Sequence, residues 1–229
     1  MRKQVKSLVT LNTILFIICI PMFLITTNVR FAVNDVRLYE YGFDKFEASS
    51  RTALEEEELT EAAHQLIDYF NSDEEYIDLE IFTQREIDHL KDVKGLIQLV
   101  YRLQLVSLAY IVLYIVFNIV LLGGALRTEL ARRLIWGSWT TIALLAALGL
   151  IALVGFDELF LWFHLASFRN DLWLLYPGDN LLLMFPEGFF SDATLFIAGA
   201  TILEALIIWG IAWGYLKLIE KRLSPQDKT

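Results

Sequence analysis

Apolar residues in this chain are gathered into four long blocks, at 8–27, 103–126, 134–156 and 193–216. A hydrocarbon layer of roughly 30 Å is crossed by about 20 apolar residues of helix, and every block reaches that length. No water is present in such a layer to bond backbone N–H and C=O groups. Each block is therefore expected as a helix, which satisfies those groups internally. The pattern predicts one membrane domain over 1–229, with spans at about 8–27, 96–126, 134–156 and 193–216. The expected fold class is an all-α integral membrane protein: four transmembrane helices, a small extracytoplasmic cap and an interfacial aromatic loop.

The cap is the polar stretch 30–95. Within it Leu59, Ala62, Ala63, Leu66, Ile67 and Phe70 recur at helical spacing, so 53–70 is expected as a helix capped by Ser49, Ser50 or Thr52. In 76–82, Ile77, Leu79 and Ile81 alternate with Asp78 and Glu80, which predicts a short extended segment. Thr83-Gln84-Arg85-Glu86 then has the form of a capping box. A helix should open there and run into the second span, bending at Gly95. Large apolar residues are few in 30–95, so it is expected as a cover over the helices rather than an independent domain.

The segment 157–192 is too interrupted to span. It carries Phe160, Trp162, Phe163, Phe168, Trp173 and Tyr176, with turns at Pro177-Gly178 and Pro186. Amphipathic rings settle at the membrane–water interface, and the loop is expected there.

Charge orients the helices. The chain is 56% hydrophobic with mean hydropathy +0.49 and net charge -9, but the positive residues are clustered. Arg2, Lys3 and Lys6 precede the first span, Arg127, Arg132 and Arg133 separate the second and third, and Lys217, Lys221 and Arg222 follow the fourth. These three zones are expected on the cytoplasmic side, with both termini. The acidic run at 55–58 and the loop 157–192 then fall outside. The first span reads as an uncleaved anchor, interrupted at Pro21. Cys19, the single cysteine, lies in that span and reads as a small packed residue.

Three histidines offer chemistry. His64 sits among acids on the cap helix and reads as part of a solvated face. His89 follows the capping box, one turn from Arg85 and from Asp92, and His164 lies in the aromatic loop. Two imidazoles at one membrane depth form a candidate acid–base pair near neutral pH. A zinc site has weak support, with no His-x3-His and no cysteine ligand. Nucleotide and serine-hydrolase motifs are absent, and the small basic patches give nucleic acid no footing. Glu204, midway along the fourth span, reads as a protonated side chain bonded to another helix, for instance near Asn118. The residues alone leave three classes open: a membrane enzyme, a non-catalytic membrane protein with an outer interaction cap, and a metal-dependent membrane hydrolase.

Two stretches carry more. One runs Tyr76-Ile77-Asp78-Leu79 through Phe82-Thr83-x-Arg85-Glu86-x-x-His89-x-x-Asp92-Val93-Lys94. The other runs Phe163-His164-x-x-x-Phe168-x-Asn170-Asp171-x-Trp173, then Pro177-x-x-Asp179, then Phe185-Pro186-Glu187-x-Phe189-Phe190. With the four-span layout they resemble the bacterial lipoprotein intramolecular transacylase family. The resemblance implies an acyltransferase of the bacterial plasma membrane, working on the outer face without metal or cofactor. It would move the sn-2 acyl chain of a diacylglyceryl lipoprotein to the α-amino group of its N-terminal cysteine, leaving the lyso form. Its partners would be diacylated lipoproteins and membrane lipid. His89 and His164 would be catalytic. Arg85, Glu86, Asp92, Arg169, Asn170, Asp171, Trp173, Tyr176, Asp179 and Glu187 would bind substrate or support the site, with Arg169, Asn170 or a backbone N–H as oxyanion donor.

The charge pattern makes a topological prediction. Reporter fusions at the C-terminus and at Glu56 should report opposite sides of the membrane. The same side for both would eliminate four spans.

Overall fold

The computed structural model describes residues 2–121 and 127–223, so the end of the predicted second span, 122–126, lies outside the described residues. Every regular element among the described residues is helical. In chain order they are α1 (Arg2–Asn34), α2 (Val36–Lys45), α3 (Ala48–Thr52), α4 (Glu56–Asn71), α5 (Gln84–Val116), a π-helical turn (Phe117–Leu121), α6 (Arg127–Val154), α7 (Phe156–Ser167), α8 (Asn180–Met184) and α9 (Glu187–Leu223). α1, α5, α6 and α9 each contain a stretch long and apolar enough to cross a membrane. Between 11% and 33% of the residues in those stretches are buried by the protein itself. The outward apolar side chains, such as Leu105, Val106, Leu113, Leu150 and Ile211, need hydrocarbon around them. This is an integral membrane protein.

Two compact units can be distinguished. One takes in α1 up to Thr27, α5 from Leu103, α6 to Leu148 and α9 from Ala198. Its core is Phe16, Ile20, Leu24 and Ala205, flanked by Tyr110, Tyr114, Leu134 and Ile208. The rings of Phe16 and Tyr114 stack at 4.3 Å. Small polar residues are buried at these contacts, and their hydroxyls bond within their own helices. Ser107 donates to Leu103 O at 2.7 Å, Ser138 to Leu134 O at 2.9 Å and Thr141 to Gly137 O at 2.9 Å. Small side chains let helix backbones approach where no hydrophobic force drives them together. The expected break at Pro21 is absent, for α1 is continuous across it. A membrane helix tolerates the lost N–H because neighbouring groups re-satisfy the freed carbonyl.

The other unit takes in 28–102 and 149–197. Its core joins Tyr39, Phe43, Leu59, Leu66, Phe70 and Phe82 to Leu181, Met184, Phe185 and Phe189. The stretches 30–95 and 157–192 thus share one core, and the first supplies most of it, with Tyr39, Phe43, Leu59, Leu66, Tyr69, Phe70 and Phe82 buried, against the expectation that it has few large apolar residues to bury.

Local details differ from the sequence reading for identifiable reasons. Ser49 and Thr52 belong to α3, where Ser49 Oγ donates to Leu54 O at 2.6 Å and Thr52 Oγ1 to Ala48 O at 2.8 Å. Ala53 takes a left-handed conformation, φ 58°, and ends that turn. α4 starts at Glu56 instead, with the Glu55 N–H donating to Glu58 Oε2 at 2.9 Å. The alternation in 76–82 buries Ile77 but pairs with no strand, and Phe82 N–H closes a turn on Leu79 O. α5 passes Gly95 without interruption.

α2 and α9 meet through glycine. A Cβ on Gly42 would lie 2.3 Å from the Phe189 ring, so the ring occupies the space that a side chain needs. Gly42→Ala should lower the unfolding free energy by about 1–3 kcal/mol, the usual cost of overpacking. The check is thermal unfolding in detergent. An unchanged midpoint would show that Phe189 moves freely.

Candidate active site

The site is built on the first turns of α5, whose N-terminus is fixed by the predicted capping box. Thr83 N–H donates to Glu86 Oε2 at 2.6 Å, and Glu86 N–H lies 3.4 Å from Thr83 Oγ1. The second Glu86 oxygen accepts from Leu181 N–H at 2.6 Å. Glu86 is fully buried, and its carboxyl group ties the start of α5 to the start of α8. Asn180 adds a parallel tie, donating from Nδ2 to Ile81 O at 2.7 Å.

His89 stands one turn further along α5, and His164 near the end of α7. The two rings lie 6.5 Å apart between centroids, at an interplanar angle of 28°. Both are enclosed, with exposures of 7% and 9%. Aromatic rings do the enclosing. Phe168 stands edge-on to His89 at 5.1 Å, while Phe160 at 4.3 Å and Trp173 at 5.0 Å flank His164. The outward face of α7, with Leu161, Trp162 and Leu165, is exposed and apolar.

The two imidazoles are held differently. His164 Nδ1 lies 2.7 Å from Phe160 O. A carbonyl can only accept, so Nδ1 carries a proton, and in the ring's neutral form Nε2 is the bare nitrogen. His89 Nδ1 is buried without a hydrogen-bond partner. The charged beginning of α5, including Arg85, Glu86, Asp88 and His89, precedes its apolar stretch. There burial holds the His89 imidazole down at about 4. Repulsion from His164 and Arg85 acts the same way, and Asp92 opposes it. His89 is therefore neutral near pH 7. Neither Nε2 has a hydrogen-bond partner among the described residues.

The other expected residues divide clearly. Arg85 donates from Nε to Leu174 O at 3.2 Å and from Nη2 to Asp171 O. Asp92 Oδ2 accepts from Asn170 Nδ2 at 2.8 Å. Asn170 Oδ1 accepts from Leu172 N–H at 3.1 Å. Asp179 is buried, and its Oδ2 accepts from Tyr176 N–H at 2.8 Å. Tyr176 is exposed beneath the Arg85 guanidinium. Arg169 and Glu187 are exposed and form no hydrogen bond or ion pair among the described residues. No three His, Cys, Asp or Glu side chains come together as a metal ligand set among the described residues.

Phe160 and Asn180 were not singled out as site residues in the sequence. Phe160 carries a signal, an aromatic residue one turn before a histidine on the same helix. Asn180 offers none beyond its place after Asp179.

A family model for the lipoprotein intramolecular transacylase Lit matches residues 14–190. This chain belongs to the Lit family. The family is one of enzymes, as its name states. The fold agrees with that membership. The solved structure of the membrane integral lipoprotein intramolecular transacylase Lit from Bacillus cereus superimposes with a TM-score of 0.82 at 22% identity, covering 96% of this chain and 100% of that one. A form of the same protein with one histidine replaced by alanine gives 0.79 at 20% identity, over 98% of this chain and 100% of that chain. At such identities the likeness speaks for the fold. An uncharacterized protein of Aquifex aeolicus (strain VF5) is 28% identical over 127 residues, 56% of this chain and 54% of its own length. The chain thus spans about half the length of that curated relative.

The Glu86 bridge is testable in this Lit-family chain. Glu86→Gln turns one acceptor into a donor facing a backbone N–H and should cost about 1–3 kcal/mol. Glu86→Ala strands both N–H groups and should cost more. Equal unfolding midpoints for the two variants and the parent would remove the bridge from the structure's supports.

Proposed function

We propose that this chain moves the sn-2 acyl chain of a diacylglyceryl lipoprotein to the α-amino group of the same molecule's N-terminal cysteine, at the outer face of a bacterial plasma membrane. Both termini are then cytoplasmic, in line with the Lys/Arg distribution. The single observation that carries the reading is the meeting of His89 and His164 in an aromatic enclosure, each with Nε2 unbonded among the described residues. Membership of a lipoprotein transacylase family supports acyl transfer as the chemistry that such a pair would serve.

In this scheme the amine nitrogen attacks the ester carbon and the bond to the glyceryl oxygen breaks. A neutral amine and an ester give an amide and an alcohol, so one proton must travel from nitrogen to oxygen. The bare Nε2 of His164 takes it. The His164 imidazolium so formed gives that proton to the departing oxygen, while the neutral Nε2–H tautomer of His89, its Nδ1 enclosed, donates a hydrogen bond to that oxygen as its charge develops, so both rings end as they began. Acid–base catalysis of this kind contributes roughly 10²–10⁴-fold. Amine and ester share one cysteine, so holding them in register contributes more, up to about 7–11 kcal/mol. The exposed apolar face of α7 and the surrounding hydrocarbon suit the acyl chains.

The test mixes purified protein with two lipoprotein populations, one with isotopically heavy acyl chains. Heavy chains should stay on heavy molecules, with two chains per molecule throughout and one newly on nitrogen. His89→Ala and His164→Ala should each lower the rate at least about 100-fold, and His64→Ala should leave it unchanged. Heavy chains on light molecules, or a third chain gained from phospholipid, would replace this reaction with an intermolecular one. Full activity in both site variants would return the chain to the non-catalytic class.

A further inference from the structure

Arg85 and Asp92 stand on either side of His89 on α5, four residues before and three after it, so all three share a face. Neither side chain is bonded to a histidine. Both reach to the segment between α7 and α8. Asp92 takes hold of Asn170, and Arg85 takes hold of the carbonyls of Asp171 and Leu174. The guanidinium also lies 5.5 Å from the centre of the Tyr176 ring. Trp173 sits between the two carbonyls that Arg85 grips, and it is the ring that packs on His164 at 5.0 Å.

The grip has a chemical logic. A guanidinium carries several donors in a rigid fork, and two carbonyls three residues apart in a turn suit that fork. A lysine ammonium would reach one of them. Backbone carbonyls in an exposed segment have water as an alternative partner. A side chain that takes two of them therefore selects one conformation of the segment. Nε and Nη2 are both engaged with the loop, which leaves Arg85 poorly placed to hold substrate.

We propose that Arg85 is a positioning residue, whose fork on the Asp171 and Leu174 carbonyls seats Trp173 against His164. Asp92 with Asn170 fastens the other end of the same segment. The consequence for rate rests on the transacylase reading; the consequence for Trp173 does not.

The experiment pairs kinetics on a diacylated lipopeptide with acrylamide quenching of Trp173, read as the difference between each protein and its Trp173→Phe counterpart. Arg85→Gln should lower kcat about tenfold or more, since a misplacement near 1 Å can cost about 100-fold, while KM changes little. Trp173 should become more accessible. Arg85→Lys should recover part of both. Arg85→Gln combined with Trp173→Ala should be no slower than Trp173→Ala alone, because the two act through one contact. Losses that multiply, or a rise in KM at constant kcat, would make Arg85 a substrate contact and overturn the proposal. Unchanged quenching in Arg85→Gln would overturn it whatever the reaction. If that variant does not accumulate, parent values of kcat and quenching in Arg85→Lys would do the same. A parent protein that yields no intramolecular product defeats the transacylase reading, and quenching still decides the grip.

Discussion

The buried carboxyl group of Glu86 is the interaction on which the site depends. Its two oxygens accept from two backbone N–H groups, those of Thr83 and Leu181, at 2.6 Å each. One bond closes the capping box that starts α5. The other fixes the start of α8, nearly a hundred residues later in the chain. An orphan N–H at a helix start must find an acceptor, and here one side chain serves two of them. His89 is three residues beyond Glu86 on the same helix, so the cap sets where the first imidazole stands. The loop that carries Trp173 runs between α7 and α8, and Glu86 anchors its far end. A residue that bonds neither histidine thus ties the start of the helix that carries His89 to the far end of the loop that carries Trp173.

The second constraint is the solvent. Apolar surface costs nothing against hydrocarbon, so α1, α5, α6 and α9 need little burial within the protein. Their contacts combine a few large side chains, such as Phe16 stacked on Tyr114, with small residues and internally bonded hydroxyls that let the backbones approach. The unit formed by 28–102 and 149–197 follows the other rule, with an aromatic and aliphatic core of the kind found in water-soluble domains. The histidines belong to this unit. Phe160, Phe168 and Trp173 leave both imidazoles little exposed, and polar interactions act more strongly where the local dielectric is low.

Much of this was legible in the sequence. Length and hydropathy identified four helices able to cross a membrane, because lipid leaves the backbone no other choice. Thr83 and Glu86 announced the start of α5, because a capping box is local in sequence and needs no tertiary partner. Long-range partnerships were not legible. Nothing in 180–190 says that Leu181 will bond Glu86 or that Phe185 and Phe189 will complete the core around Tyr39 and Phe43. Ser49, Ser50 and Thr52 misled for a related reason. They are good cap residues, but the left-handed turn at Ala53 ends α3 beside them, and Glu55 with Glu58 starts α4 instead. The acidic run thus has a structural part in opening a helix, where negative charge suits the positive end of the helix dipole.

The asymmetry of the two histidines was also beyond the sequence, and its cause is local geometry. In an α-helix the carbonyl of residue 160 points along the axis toward the amide of residue 164. The His164 ring turns back onto that same carbonyl, so α7 itself sets the tautomer without help from a distant residue. A carbonyl bonded to Nδ1–H leaves a lone pair at Nε2, which is the nitrogen a base needs. His89 has no such partner at Nδ1, and burial keeps its ring neutral. In the proposed reaction one ring is set to take and return a proton, and the other is free to take the complementary tautomer and donate a hydrogen bond. The two rings differ because only one of them is tied to its own helix, and the proposed division of labour follows from that difference.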